Sequence, residues 1–178
     1  MIPAGGTDYS FEWKDLGDIA TGRPNLGPDV PVLVYRLAQY TMRAAIAQRY
    51  DQETASILLR EAGWIAGREF CKNVLDCTLE FGAFVDRLQA TLKALKIGIM
   101  RIEYSDMALM TFTLTVSEDL DCSGLPISGV TVCEYDEGFI AGILHMYTGK
   151  EFVATEIDCW ATGDRTCRFV VKQEGGGA

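Results

Sequence analysis

The feature that most constrains the fold is a change in hydrophobic period after Leu95. Before this point, apolar residues recur every three or four positions, which is the period of an amphipathic helix. After it, apolar and polar residues alternate, as they do in a half-buried strand. The sequence therefore predicts a helical first part followed by a sheet.

Three helices are predicted before the change. The first begins at Pro31, a residue suited to the first helical turn. Asp51 and Thr78 are predicted to cap the second and third helices, because their side-chain oxygens can accept a free N–H of the first turn. Gly63 and Gly67 lie one turn apart and each costs about 1 kcal/mol relative to alanine, so we expect another element to pack closely there. The apolar stripes are Leu33, Leu37, Tyr40, Ala44 and Ala47; Ala55, Leu58, Leu59, Ala62, Ala66 and Phe70; and Phe81, Phe84, Val85, Leu88, Leu92 and Leu95.

Four strands and one helix are predicted after the change. Residues 97–104 and 109–116 form a hairpin with a turn at 105–108. A helix over 130–147 follows and ends at Gly149, and residues 151–157 and 168–172 form a closing pair of strands. The fold class is therefore α/β (α+β), an antiparallel sheet with helices packed on it.

The chain has the length and balance of one globular domain. Its 178 residues are 48% apolar and 23% charged, which is enough to form a core. Residues 1–30 are rich in glycine, proline and aspartate and are predicted to be an N-terminal arm. Residues 31–172 form a single domain, and 173–178 form a flexible tail.

Charge and hydropathy exclude several classes of function. The net charge of −9 disfavours nucleic-acid or anionic membrane surfaces as partners, because phosphates would be repelled. The sequence has no long apolar run and no signal-peptide pattern at its start, so we expect a cytoplasmic protein. Six cysteines in such a chain are expected to be reduced thiols or metal ligands.

Cys133, Glu156, Cys159 and Cys167 form the candidate metal site. Cys133 is predicted to face inward from the last long helix, and Cys159 and Cys167 flank a turn-rich segment that can bring them together. Glu156 and Cys159 can bind one ion only if the chain bends after Ile157. Three thiolates and one carboxylate would close a tetrahedral zinc site and leave no position for catalytic water.

Two alternatives stay open on spacing alone. Buried cysteines are common in cores and Glu156 can be a solvent-facing strand residue, so these residues need not bind metal. A thiolate-rich tetrahedral site can also take iron. Cys71 and Cys77 are expected to face each other poorly and Cys122 to lie alone in a loop, so these three are interpreted as non-ligands.

Two groups of residues together resemble the 4-vinyl reductase domain family over roughly residues 20 to 172. The first is the run 22–28 with Val32, Tyr35, Arg36, Leu37 and Gln39, and the second is Cys133, Glu156, Cys159 and Cys167. The same domain is the sensory module of phenol- and toluene-responsive transcription activators, whose zinc site has three cysteines and one glutamate at similar separations, here 23, 3 and 8 positions. The resemblance implies structural zinc as the cofactor, a fold related to small TRAPP-type tethering subunits, and a homodimer.

The resemblance also implies an apolar cavity for a small hydrophobic or aromatic molecule. The corresponding residues here are Met110, Phe112, Phe139, Ile143, Phe152 and Ala154, although each can equally be part of the core. Phe112 stands where the phenol sensors carry a tryptophan, which argues against phenol itself.

Three functions follow from these observations. The first is a stand-alone sensor-type binding module, not an enzyme, whose output passes through a separate partner or the dimer interface. The second is a reductase or accessory protein for vinyl-group reduction in (bacterio)chlorophyll biosynthesis, disfavoured because no Gly-x-Gly-x-x-Gly turn for a nicotinamide or flavin is present. The third is a structural or assembly subunit.

Overall fold

A computed structural model describes residues 10–175. The chain separates into two compact units, one up to Val30 and one from Pro31 onward. In the first unit, a 3-10 helix at Trp13–Leu16 precedes the short helix α1, Ile19–Gly22. The predicted arm therefore contains short helical turns. The first nine residues of this arm and the last three of the predicted tail lie outside the described residues.

Three long helices open the second unit. They are α2 at Val32–Arg49, α3 at Gln52–Val74 and α4 at Phe81–Ala94. The predicted cap of α3 is confirmed, because the Asp51 carboxylate accepts the N–H of Thr54 at 2.6 Å. The predicted cap at Thr78 is wrong. Its N–H and hydroxyl both donate to Asp76, so Thr78 belongs to a turn, and Glu80 is the residue that precedes α4.

The fifth helix, α5, spans Glu134–Thr148 and ends at Gly149, whose backbone is left-handed as expected. It packs against α3 through glycines on both helices. A β-carbon at Gly63 or Gly67 would overlap the carbonyl oxygens of Tyr135 or Phe139 on α5. The expectation of a closely packed element at these two glycines is therefore confirmed.

Four antiparallel strands form one sheet among the described residues, in the order β1-β2-β4-β3. Their bounds are Ile99–Asp106 for β1, Thr111–Ser117 for β2, Phe152–Asp158 for β3 and Cys167–Gln173 for β4. The predicted α/β class with helices packed on an antiparallel sheet is confirmed.

The hairpin between β1 and β2 turns later than the sequence indicated. Its turn occupies residues 107–110, and Met110 has a left-handed backbone with φ 47°. The carboxylate of Asp106 accepts the N–H groups of Ala108 and Leu109, which fixes the turn after Asp106. The predicted turn at 105–108 was therefore displaced by two residues.

The core lies between one face of the sheet and helices α4 and α5. The inward side chains of β2 and β4 are buried, and they include Phe112, Leu114, Phe169 and Val171. Within the described residues, no helix is both long and apolar enough to cross a membrane.

Candidate metal centre and ligand cavity

Four buried cysteine side chains meet at the end of the sheet where β4 begins. Cys122 lies in the loop after β2, Cys133 precedes α5, Cys159 follows β3 and Cys167 opens β4. Their four sulfur atoms all lie within 4.8 Å of one another. Each residue is at most 1% exposed, so the cluster is closed to solvent.

The sulfur spacings can be compared with those of a tetrahedral metal site. A zinc–sulfur bond of about 2.3 Å gives sulfur atoms about 3.8 Å apart. The Sγ of Cys133 is 3.9 Å from that of Cys159 and 3.9 Å from that of Cys167. The Sγ atoms of Cys122 and Cys167 are closer, at 3.0 Å, so Cys122 would have to move outward by roughly 1 Å to complete the tetrahedron.

Local backbone structure turns Cys159 into the cluster. The pairing of β3 with β4 shifts register between Glu156 and Asp158, which is where a bend was expected. A 3-10 helix at Trp160–Thr162 then reverses the chain. The hydroxyl of Thr162 accepts the N–H of Cys159 and donates to its carbonyl group, at 3.0 and 2.7 Å.

Glu156 lies beside the four cysteines but is not one of the four mutually close ligands. Its Oε2 accepts the backbone N–H of Cys133 at 3.2 Å, and its own N–H donates to Glu137. Its Oε1 is buried and has no hydrogen-bond partner among the described residues. Burial raises the pKa of this carboxyl to about 8. Metal ligation by Glu156 stays a prediction.

The cysteine thiols influence one another's protonation. The thiols of Cys122, Cys133 and Cys167 donate toward Cys159 and hold its pKa below the ordinary value. Hydrogen bonding within the cluster raises the pKa of Cys133 and Cys167 instead. The cluster thus favours a single thiolate, and binding a cation would require the remaining ligand thiols to release their protons.

Cys122 is the residue that sequence reasoning missed. It was expected to lie alone in a loop, but helix α2 holds that loop against the cluster. The side chains of Tyr35 and Gln39 donate to the carboxylate of Asp121 at 2.8 and 2.6 Å. Arg36 donates to the carbonyl group of Leu120 at 2.7 Å. These contacts join residues more than 80 positions apart, so no spacing pattern reveals them.

The remaining two cysteines form a separate pair. The Sγ atoms of Cys71 and Cys77 are 3.4 Å apart. The expectation that they face each other poorly was wrong, because α3 ends at Val74 and the chain then turns back. Burial raises the pKa of Cys71 above its ordinary range.

A partly enclosed apolar cavity of about 60 Å³ lies next to the cysteine cluster. It is bounded by α4, by β1 and β2, and by α5. At 10–15 Å³ per water, this volume corresponds to roughly four to six water molecules. Its walls are Phe81, Phe84, Val85, Leu88, Leu92, Ile97, Gly98, Met100, Ile102, Phe112, Leu114, Val116, Phe139, Ile140, Ile143 and Leu144, with Asp119 and Asp136 as the two polar members.

The predicted ligand-binding residues divide between two places. Phe112, Phe139 and Ile143 line this cavity. Phe152 and Ala154 instead line a more open depression of about 330 Å³ beside α3, with Ile57 and Trp64 among its other walls. Met110 is buried in the hairpin turn and lines neither space.

The second half of the chain carries the 4-vinyl reductase domain, since residues 112–173 match the model of that family. This segment contains Cys122, Cys133, Glu156, Cys159 and Cys167. Over a longer span, the chain is 25% identical to the uncharacterised protein MJ0150 of Methanocaldococcus jannaschii, covering 90% of this chain and 88% of that protein. The family resemblance expected from the sequence is confirmed.

Solved structures share the fold. The phenol-responsive sensory domain of the transcription activator PoxR, solved with phenol, superposes with a TM-score of 0.60 at 14% identity, covering 85% of this chain and 82% of that chain. A vinyl-4-reductase family protein from Methanocaldococcus jannaschii gives 0.57 at 18% identity, covering 94% and 99%. Subunit 3 of a trafficking protein particle complex from Naegleria fowleri, covalently bound to palmitic acid, gives 0.62 at 12% identity, covering 80% and 95%. The expected relation to TRAPP-type subunits is confirmed at the level of fold.

Proposed function

We propose that this chain is a sensor-type module that binds a small hydrophobic or aromatic molecule in the cavity between α4 and the β1–β2 hairpin. The observation that carries the proposal is the cavity itself, whose walls are apolar at all but two positions. Apolar pockets with a few convergent polar groups are the usual form of small-molecule sites. The fold shared with a phenol-responsive sensory domain supports the same interpretation.

A structural zinc ion at the cysteine cluster is the second part of the proposal. Cys133, Cys159 and Cys167 would hold it, with Cys122 as the fourth ligand because its sulfur lies within the mutually close set. The buried, unpaired Oε1 of Glu156 makes that carboxylate the competing fourth ligand. Four protein ligands leave no open coordination position, so the ion would supply stability and not chemistry.

The position of the cluster explains what such an ion would stabilise. Its ligands come from the loop after β2, the start of α5, and both ends of the turn between β3 and β4. Asp119 and Asp136, which line the cavity, have carboxylate oxygens within 4.8 Å of the sulfur of Cys133. The ion would therefore fix one end of the cavity.

Native mass spectrometry of the purified full chain tests both parts together. We expect a mass that includes one zinc ion per chain and, after addition of a small aromatic such as toluene, a further adduct and a raised melting temperature. Absence of zinc would contradict the metal site. A melting temperature that no small apolar compound raises would contradict the binding function.

Helix α2 supports the proposal of a homodimer. None of its 18 residues is buried, and its exposed apolar side chains include Leu33, Val34 and Leu37 at 74%, 52% and 63%. A second copy would remove this apolar row from water. Light scattering on the wild type and on Leu37→Glu tests this, with a dimer expected only for the wild type.

A further inference from the structure

The cavity has one polar end. Among the side chains that line it in the described part of the chain, only those of Asp119 and Asp136 can form hydrogen bonds. Both lie where the cavity approaches the cysteine cluster. A ligand that fills the apolar part would therefore place one end against two carboxyl groups.

The carboxyl group of Asp136 lacks a hydrogen-bond donor. Its Oδ2 is buried, and no described residue donates to it. A buried polar oxygen without a partner costs free energy, so such groups in proteins are nearly always satisfied by protein, water or ligand. Asp136 is thus an acceptor that faces the cavity without an acceptor's usual partner.

Asp119 is held in place by its own loop. Its Oδ1 accepts the N–H groups of Asp121 and Cys122 at 2.8 and 3.0 Å. These two bonds fix the orientation of its carboxyl group at the cavity wall. The second carboxyl group is therefore positioned before any ligand arrives.

The charges around Asp136 determine which ligand end is suitable. The groups that interact with it electrostatically are Asp119, Asp121, Cys122 and Glu156, which are all acidic. None of the described side chains that line the cavity is basic. An anionic ligand group would be repelled, and a hydrocarbon would leave the oxygen of Asp136 unpaired.

We infer that the ligand of this cavity is a compact apolar molecule with a hydrogen-bond-donating head group, an amine or an alcohol, which Asp136 binds with Asp119 beside it. This inference rests on the proposed binding function and specifies its ligand class. The small volume favours a head on a short branched or cyclic body.

Three compounds of the same shape test the inference. Methylcyclopentane, cyclopentanol and cyclopentylamine differ only in a methyl, hydroxyl or amino group. Their affinities are measured by calorimetry on the full-length wild type, on Asp136→Asn, and on Asp86→Asn. The last variant changes an exposed aspartate of α4 outside the cavity wall and serves as the matched control.

We expect the amine and the alcohol to bind the wild type at least about tenfold more tightly than the hydrocarbon. Asp136→Asn should weaken amine binding by at least about tenfold and leave hydrocarbon binding within about twofold. The alcohol should lose less, because the amide carbonyl can still accept. The control should bind all three as the wild type does.

Several outcomes would overturn the inference. Equal affinity of the wild type for all three compounds would do so while leaving the binding function intact, and this comparison decides the matter even if Asp136→Asn fails to fold. No binding of any compound would overturn the inference together with the proposed function. Loss of one metal equivalent from Asp136→Asn would assign the carboxyl groups to a metal ion and not to a ligand.

Discussion

Gly138 on α5 lies so close to Arg60 on α3 that a β-carbon at Gly138 would overlap the carbonyl oxygen of Arg60. The backbone nitrogen of Trp64 would also be only 2.7 Å from that carbon. Together with Gly63, Gly67 and Gly142, these residues let the two helices approach backbone to backbone. Because α5 also forms a wall of the cavity, this contact determines where that wall stands.

Replacing Gly138 by alanine should separate the helices. We expect Gly138→Ala to lower the free energy of unfolding by about 1–3 kcal/mol or more, since the added methyl group meets fixed backbone atoms. Urea denaturation measures the change. Gly82→Ala on α4 is the matched control, because a β-carbon there meets no atom within 4 Å; it should stabilise the protein by about 0.5–1 kcal/mol. Equal effects of the two substitutions would contradict the close packing.

Removing one cysteine of the cluster should remove the metal. Elemental analysis of the wild type is expected to give one zinc per chain, and Cys159→Ser should lose it and melt at a lower temperature, because zinc binding contributes to folding. Cys77→Ser changes a cysteine outside the cluster and should keep its zinc. A Cys159→Ser variant with wild-type zinc content and stability would rule the site out.

The fourth ligand can be identified by counting sulfur atoms around the metal. If Cys122 completes the site, X-ray absorption should detect four sulfur neighbours at about 2.3 Å in the wild type. Cys122→Ser should then show three, while Glu156→Gln should keep four. Three sulfurs and one oxygen in the wild type, with oxygen lost in Glu156→Gln, would instead assign the position to Glu156.

Arg36 should influence metal affinity without touching the metal. Its guanidinium donates to the carbonyl groups of Leu120 and Ser123, at 2.7 and 2.9 Å, and so holds the loop that carries Cys122. We expect Arg36→Gln to weaken zinc binding by about tenfold or more in competition with a chelator. Arg49→Gln, at the exposed end of the same helix, should have no such effect. Equal zinc affinities for both variants would mean that the loop keeps its position without Arg36.

Filling the cavity should compete with the ligand. Ile143 lines it from α5, and Ile143→Phe adds volume that a bound molecule would otherwise occupy. We expect ligand affinity to fall by at least about tenfold, since loss of the space costs contacts worth more than about 1.4 kcal/mol. Ile157→Phe, at a half-exposed position of β3, is the control and should bind as the wild type does. Unchanged calorimetric affinity in Ile143→Phe would place the ligand elsewhere.

Local signals in the sequence predicted most of the fold. The cap at Asp51 depends on residues three positions apart, and the helix stops at Gly149 because that position needs a left-handed backbone. The glycines of α3 indicated close packing because a helix carries such costly residues only where small size is needed. Each of these inferences used neighbours in the chain.

The parts that sequence reasoning missed depend on contacts between distant segments. Cys122 joins the cluster because Arg36 and Tyr35 hold its loop from α2. Phe152 was predicted to line the cavity because alternation shows which face of a strand is inward. Alternation does not show which part of that face lies under which helix. Strand β3 is at the far edge of the sheet from β1, and the cavity lies over β1 and β2.

The sheet order also has a consequence for how the chain is assembled during synthesis. Strand β4 follows the other three in sequence but lies between β2 and β3. Until the ribosome has delivered β4, β3 has no neighbouring strand and the hairpin of β1 and β2 has one open edge. Cys167, the last of the four cysteines, arrives on that same strand. Closure of the sheet and completion of the cysteine cluster are therefore a single late event, and metal uptake reports that the nascent domain has finished folding.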